Sequence, residues 1–507
     1  MRSNYLSSEL GTPRQLPIIE VRVDLSRAVS RDFLGVGVQC DAYPWWDINE
    51  LEWDRIFKRL SYMRSPLFRT MQSAFYYWHD IDGSGKPTYR FDSSYVNKLV
   101  KLLDWCEANG TQVILGEWGA PTSVTGISLA NDDPLWTRIV VEFLMELFRR
   151  RSYQCVRYFN LINEPHGSWS STAGCFDEWR SAILNLHQDL QRSGLHDRVA
   201  IAAPDANSEW LRKTLTDSEL REVTAIYDEH WYVTRDEINA GAVEQRCREQ
   251  CRCISQCDPG KPYILGELGI VDGKTEDDRQ PNVFGFSYGV EMADAAVQLM
   301  RGGSHGFIAW YLDDAMHFFG DGEIVRSDDE PLPKDAYERR KVWGMWNSLG
   351  NQMGDPSDAQ LRPWFFTWSL LSRYFPAGCE IVNVELDQDA PVIIAAARIS
   401  QEGTNHISLA IVNREDAPRT VRVHIPEMQV LTTLARFDYF DLDSDDRPDS
   451  WPTSIDNQGC DVFPSPSLFL SEVDFQSGLK IALDGRGVVI LTSLETAETM
   501  PPLYRSP

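Results

Sequence analysis

Residues 157–165 read Arg157-Tyr158-Phe159-Asn160-Leu161-Ile162-Asn163-Glu164-Pro165. A short run of β-formers is cut off by proline, which cannot donate to a strand ladder and restricts the residue before it to extended backbone. Glu164 is therefore expected in extended conformation at the end of a strand. The same pattern, a short apolar run followed by a helical stretch, recurs on both sides. Strand candidates are Phe33–Val38, Leu67–Met71, Gln112–Gly116, Arg157–Ile162, Val199–Ala203, Ala225–Tyr227 running on to Trp231, Tyr263–Gly266 and Gly306–Trp310. Helical spacing fills the gaps, as in Ser94–Ala108, Pro134–Arg150, Phe176–Gln191 and Val290–Arg301. Eight β-then-α units in succession imply parallel strands with crossover helices, and the simplest closure is a (β/α)8 barrel, the TIM architecture, over residues 32–376. A doubly wound sheet usually has fewer units, and no glycine-rich phosphate turn follows the first strand.

Beyond Phe375-Pro376-Ala377-Gly378 the long helical patterns stop. Short alternating runs (Val392–Ile399, His406–Val412, Thr420–Ile425, Ser467–Val473, Leu479–Leu483, Val488–Leu491) predict a C-terminal all-β sandwich over residues 377–507. Residues 1–31 hold an early strand, Ile18–Leu25, for which pairing with the sandwich or with the barrel is equally open.

Parallel barrels carry their chemistry at the C-terminal ends of the strands. Strand four ends in Asn163-Glu164-Pro165 and strand seven in Leu265-Gly266-Glu267-Leu268-Gly269. These strands lie across the barrel from each other, so two carboxyl groups face one cavity. Glycoside cleavage needs that pair: one protonates the leaving oxygen, the other attacks the anomeric carbon. A lone Glu-Pro would more often be a salt-bridged rim residue. Two such residues at opposed strand ends favour catalysis.

Asn-Glu-Pro after strand four and Glu after strand seven resemble the large clan of retaining (β/α)8 glycoside hydrolases, which includes cellulases, β-mannanases, β-galactosidases and β-xylosidases. The resemblance spans roughly residues 32–375. It implies that Glu164 is the acid/base and Glu267 the nucleophile, in a double displacement through a covalent glycosyl-enzyme. It also implies that Arg69 bonds the nucleophile, that His230 and Tyr232 of His230-Trp231-Tyr232 serve the acid/base and the nucleophile, that Asn163 meets a sugar hydroxyl, and that Trp310 lies under the reacting sugar. Arg69 beside Glu267 would keep the nucleophile ionised, leaving Glu164 protonated at rest. Where many cellulase-like relatives have His after strand three, this chain has Glu117-Trp118. Glu117 and Trp118 are candidate pocket residues, with an ion-paired structural role for Glu117 equally open. Trp45, Trp46, Tyr77, Trp78, Trp169 and Trp231 also fall in or beside strand-end loops, and about half are expected to pack those loops.

Composition narrows the partners. Lys and Arg total 49 against 75 Asp and Glu, a formal charge of −26, which repels phosphate backbones and argues against nucleic acid. A carbohydrate is the expected partner, and the chain is silent on oligomeric state. No stretch approaches membrane-span length. Residues Met1–Glu20 lack the apolar run of a signal peptide, so the chain is expected in the cytoplasm, or outside the cell if a leader preceded it. No cofactor or metal is expected at the site. A metal-dependent hydrolase or aldolase would need a histidine pair or a Schiff-base lysine at a strand end, and none is offered. A catalytically silent sugar-binding barrel and an inverting glycosidase are the remaining alternatives.

Two clusters stand apart. Cys247, Cys251, Cys253 and Cys257 fall in one expected helix, Arg235–Gln256, whose phase cannot aim all four at one ion; disulfides Cys247–Cys251 or Cys253–Cys257, or free thiols, are favoured. Asp441, Asp443, Asp445, Asp446 and Asp449 open like a calcium loop. Asp446 stands where that loop needs Gly, and Pro452 where it needs Glu, so a solvated loop is the default.

Overall fold

The computed structural model describes residues 17–43, 48–121, 126–318, 335–386, 390–401, 403–428, 432–440 and 461–496. Eight parallel strands close into a barrel in chain order: Gly35–Gln39, Leu67–Gln72, Gln112–Glu117, Val156–Asn160, Ala200–Ala206, Thr224–Val233, Tyr263–Ile270 and Gly306–Ala309, called strands one to eight below. The lower interior is a packed layer of Leu67, Ile114, Ala202, Ile226, Ile264 and Ile308, one side chain from each of six strands. This layer is solid, so the chemistry has to sit above it.

The helices form where sequence spacing places them. Ser94–Asn109 starts on Ser93, whose side chain accepts the Val96 N–H, and stops at Gly110 with φ +68°. Pro134–Met145 begins with proline in its first turn and runs into a wider turn, Glu146–Arg150. The expected helix Arg235–Gln256 is two helices, Arg235–Asn239 and Ala242–Cys257. Gly241, at φ +71°, breaks them. Cys247, Cys251, Cys253 and Cys257 are free thiols, Cys247 buried and Cys257 exposed, so neither suggested disulfide is present.

A nine-stranded, mostly antiparallel sheet forms the second layer system. Val21, Ile394, Leu409, Val423, Leu434, Ile481 and Leu491 share one core, so the sheet folds over on itself. Strand Val392–Gln401 is buried on both faces. Ile394 and Ala396 enter this core, while Ile393, Ala395 and Ala397 join the barrel's core beside helix Phe286–Gly302. Arg414 forks onto Asp294 of that helix at 2.6 and 2.8 Å. Strand Ile19–Ser30 lies inside this sheet, antiparallel to Glu380–Leu386 and parallel to Arg419–His424. Glu380–Leu386 and Thr432–Phe440 are strands that the alternation reading passed over. The Asp441–Asp449 cluster and Pro452 lie outside the described residues, as do Trp45 and Trp46. No described helix is long and apolar enough to cross a membrane.

Candidate active site

Strand seven shows how sequence turns a carboxylate into the barrel. Ile264 faces the interior and Leu265 the helices, so simple alternation would send Glu267 outward. A bulge against strand six, between Leu265 and Glu267, resets the phase. Gly266 makes the bulge possible, because a Cβ there would stand 2.2 Å from Asp228 Oδ1. Strand five does likewise. Its register shifts between Pro204 and Ala206, and Asp205, at φ +60°, is turned inward.

Arg69 of strand two is the hub. Its side chain is fully buried. Nη1 donates to Gln39 Oε1 and to Glu267 Oε1, both at 2.9 Å. Nη2 donates to Asn163 Oδ1 at 2.6 Å and to both oxygens of Asp205 at 3.1 and 2.8 Å. Burial works against the guanidinium charge, but Asp205 and Glu267 outweigh it and keep Arg69 a cation. Tyr232 completes the grip on Glu267, donating to Oε2 at 2.6 Å. Burial, with Glu267 close by, holds the Tyr232 phenol well above its usual pKa, so it stays a donor.

His230 lies among three carboxyl groups. Nδ1 is 3.2 Å from Glu164 Oε1 and 3.5 Å from Glu267 Oε1, and Nε2 is 2.8 Å from Asp205 Oδ1. Burial opposes its charge, but Glu267 and Asp205 raise its pKa well above the imidazole range, so it is an imidazolium donating from both nitrogens. Asp205 feels the converse. Burial would raise it, and Arg69 and His230 bring it down to about 2. Beneath them Asp228 is pushed up to about 7 by burial and by Asp205.

The protonation order differs from the expected one. Burial disfavours Glu164 ionisation, but the His230 hydrogen bond and charge, helped by His166, carry its pKa below the usual carboxylate value. Burial raises Glu267, with His230 and Arg69 offsetting only part. At rest the imidazolium serves the rim carboxylate, an effect that strand-end spacing does not reveal. Glu164 also departs from the expected extended backbone, with φ +42°. Its N–H donates to Asp205 O at 3.1 Å and its carbonyl accepts from Gly167 at 2.9 Å, closing a tight turn.

The other candidates fall into two groups. Trp310, Tyr311 and Trp343 form an aromatic wall with Trp118 and Tyr232 packed on it. The Trp310 ring stacks on His317 at 5.2 Å, and Trp118 meets the same imidazole edge-on at 5.8 Å. Glu117 is fully buried; its Oε1 accepts from Tyr77 at 2.7 Å and Gln72 at 3.2 Å, and burial lifts its pKa to about 8. Tyr77 and Trp78 are buried, and Trp231 points outward beneath Arg246, whose guanidinium is 3.8 Å from the ring centre. Trp169 remains exposed beside Glu164.

Asp205, Asp228, Gln39 and His317 were not among the sequence candidates. Asp205 had a signal: Pro204 directly follows the run read as a central strand, Val199–Ala203, where proline marks a strand end or a bulge. Among the described residues, two carboxylate–histidine sets, Glu164/His230/Glu267 and Asp205/Asp228/His230, are compact enough to consider as metal ligands. Neither offers a histidine lone pair, because both His230 nitrogens already face carboxylates, and Arg69 supplies a cation to Glu267 and Asp205.

A closed parallel barrel with a β domain is the fold found in solved glycoside hydrolases of the GH30 and GH39 families. A GH30 endoxylanase from Clostridium papyrosolvens superposes with TM-score 0.60 at 12% identity, over 94% of this chain and 100% of that one. A GH39 β-xylosidase from Caulobacter crescentus gives 0.60 at 14%, over 94% and 100%. A GH39 enzyme from Xanthomonas axonopodis gives 0.59 at 15%, over 95% and 99%. No family model matches the chain, and no curated protein matches it by sequence.

Proposed function

We propose that this protein is a retaining β-glycosidase, with Glu267 as nucleophile and Glu164 as acid/base. The observation that carries the reading is the approach of carboxylate oxygens of Glu164 and Glu267 to within 4.8 Å. Retaining enzymes hold their carboxyl groups about 5–5.5 Å apart and inverting ones about 6.5–9.5 Å, to admit a water. The donors support the division of roles. Glu267 is deep and fixed at both oxygens, Oε1 by Arg69 and Oε2 by Tyr232, as a nucleophile in a defined line of attack requires. Glu164 sits at the rim with its side chain 20% exposed, where a leaving group and then a water can reach it.

Glu267 attacks the anomeric carbon while the bond to the leaving oxygen breaks and Glu164 protonates that oxygen. A water, deprotonated by Glu164, then releases the sugar with its configuration kept. Resting Glu164 lacks the proton it must give. Bound sugar strips solvent from its exposed edge, and the adjacent His230 imidazolium transfers the proton from Nδ1 to Oε1.

The fold neighbours include a β-xylosidase, an endoxylanase, a xylanase and a glucosidase, so β-xylosides and β-glucosides head the substrates to try. The test is a screen of nitrophenyl glycosides of xylose, glucose, galactose and mannose with matching polymers, following the first-formed anomer by NMR. A β-product supports the proposal. An α-product from a β-substrate means inversion, and no turnover of any β-glycoside means a silent binding barrel.

A further inference from the structure

Strand six turns Ile226, Asp228, His230 and Tyr232 toward the barrel interior, each two residues above the last. Ile226 belongs to the apolar layer of the lower barrel, so Asp228 is the first polar step above it. Its side chain is fully buried. Strand seven makes room with Gly266, where a Cβ would stand 2.2 Å from Asp228 Oδ1 and 2.7 Å from Oδ2. In that slot the carboxyl accepts one hydrogen bond, from Asn160 Nδ2 to Oδ2 at 3.3 Å. Oδ1 is buried and has no hydrogen-bond partner among the described residues.

Asp228, Asp205 and His230 each bring a polar atom within 4.8 Å of the other two. Two carboxyl groups this close and out of water do not both ionise. The donors decide which one carries the charge. Asp205 accepts from Arg69 through both oxygens and from His230 Nε2, while Asp228 has a single neutral amide. Asp205 is therefore the anion and Asp228 keeps a proton, for which Oδ1 is free. Burial opposes the Asp205 charge, yet Arg69 and His230 bring its pKa down to about 2; burial and then Asp205 push Asp228 up to about 7. The charged and titratable groups facing Asp228 are Asp205, His230 and Arg69; strand four contributes the neutral Asn160 and strand seven Gly266.

Resting on the glycosidase reading, we propose that Asp228 is a positioning residue that, by keeping its own proton, leaves Asp205 the sole anion beneath His230 and so keeps the imidazolium able to pass its Nδ1 proton to Glu164. Asp228 touches neither sugar nor leaving oxygen. When it ionises, a second anion stands within 4.8 Å of the ring and holds the imidazolium proton more tightly. Glu164, at the rim, feels that charge less, so the proton stays on the donor. Protonation of the leaving oxygen then fails while both catalytic carboxyl groups are unaltered.

The test is D228N, which keeps the neutral shape and cannot ionise. It is read in kcat/KM, which reports the free enzyme and the first chemical step. On a disaccharide, whose leaving group needs the proton, wild-type activity falls on the alkaline side as Asp228 ionises near 7. In D228N that limb moves up by about one pH unit or more, which raises the ratio of rates at pH 8.5 and pH 6 about tenfold. On an activated aryl glycoside, which needs no proton, the two enzymes share one alkaline limb. Two further readings use no substrate. Infrared spectroscopy at pH 6 shows a buried protonated-carboxyl band in wild type that D228N lacks, and histidine NMR shows the still-protonated His230 ring responding to an ionisation near pH 7 in wild type alone. Disaccharide limbs that superpose, an equal shift on both substrates, or no lost carboxyl band overturn the proposal. Should D228N not fold, a wild-type His230 ring with no step between pH 6 and 8 overturns it, and a step supports it. If wild type cleaves no β-glycoside the glycosidase reading falls, and the infrared band and NMR step still decide whether Asp228 holds the proton beneath His230.

Discussion

Asp205 clasps the Arg69 guanidinium through a single nitrogen, Nη2, with both carboxylate oxygens at 3.1 and 2.8 Å. The same Asp205 Oδ1 takes the Nε2–H of His230 at 2.8 Å. The cation of the deep carboxylate and the cation of the rim carboxylate therefore share one anion. Arg69 and His230 are held in register by a residue that touches neither Glu164 nor Glu267 through its side chain.

Asp205→Asn keeps the shape and removes that charge. Breaking a buried pair costs about 3–5 kcal/mol because the remaining cation is left uncompensated. The variant is expected to melt at lower temperature and to lose at least tenfold in kcat. His230, deprived of an acceptor anion, titrates at lower pH, so the Glu164 pKa rises toward its ordinary value. Calorimetry and histidine NMR check both parts; an unchanged His230 titration contradicts this account of the network.

Glu267→Gln retains the two hydrogen-bond acceptors' space but not the attacking charge. Activity is expected to fall by roughly four orders of magnitude or more, the scale on which removing a covalent nucleophile acts. With Glu267→Ala and azide, the product should be the α-glycosyl azide, since azide enters from the vacated face. A β-azide from this variant would exchange the two assigned roles.

Glu164→Ala should injure poor leaving groups far more than activated aryl ones, because only the former need the proton. Azide should restore turnover and give the β-glycosyl azide. Equal losses on both substrate kinds argue against proton donation.

Arg69→Met removes a cation from Glu267, whose carboxyl already stands above its ordinary value because it is buried. Its pKa should rise further. Activity needs Glu267 ionised, so the acid limb of the kcat profile shifts to higher pH, with the limbs read as properties of the coupled pair. An unmoved acid limb assigns it to another group.

Glu117 titrates near 8 in the folded protein, above its unfolded value, so the native state binds this proton more tightly. Its contribution is fully present below the unfolded pKa and is lost as pH rises to about 8, on the order of a few kcal/mol across that window. Glu117→Gln still accepts from Tyr77 and Gln72 and cannot ionise. Its melting temperature should fall less than that of wild type between pH 5 and 8.5. Parallel curves would exclude Glu117 as the titrating group.

Eight barrel strands were legible because each couples a run of β-formers to a helix of 3.6 spacing, a pattern that burial on both sides of a parallel strand enforces. Glu164 and Glu267 were legible for the same reason, lying where such runs end. Asp205 was not, since its inward turn depends on a bulge after Ala200-Ile201-Ala202-Ala203-Pro204 that alternation does not encode. The order of the two carboxyl pKa values was not either. It follows from His230 on strand six, next to the strand of Glu267 and two strands from that of Glu164, whose charge exists because three carboxylates converge on it. The helix Ala242–Cys257 shows a smaller failure, where one glycine at positive φ outweighed helical spacing on both sides.

The position of Ile19–Ser30 bears on how such a chain is made. It occupies an interior place in the nine-stranded sheet, between Glu380–Leu386 and Arg419–His424. Emerging early from a ribosome, it has no neighbour on either side until more than three hundred residues later. The barrel is, in order of synthesis, a long insertion within the sheet, and it is able to close before the strand preceding it is paired. Until then a bare β-segment with two open edges is tethered to a finished barrel, the kind of exposed edge that invites pairing with another nascent chain. Shortening the chain after the barrel would leave that edge open for good, so a barrel produced alone is expected to be recovered only if Ile19–Ser30 is removed with the sheet.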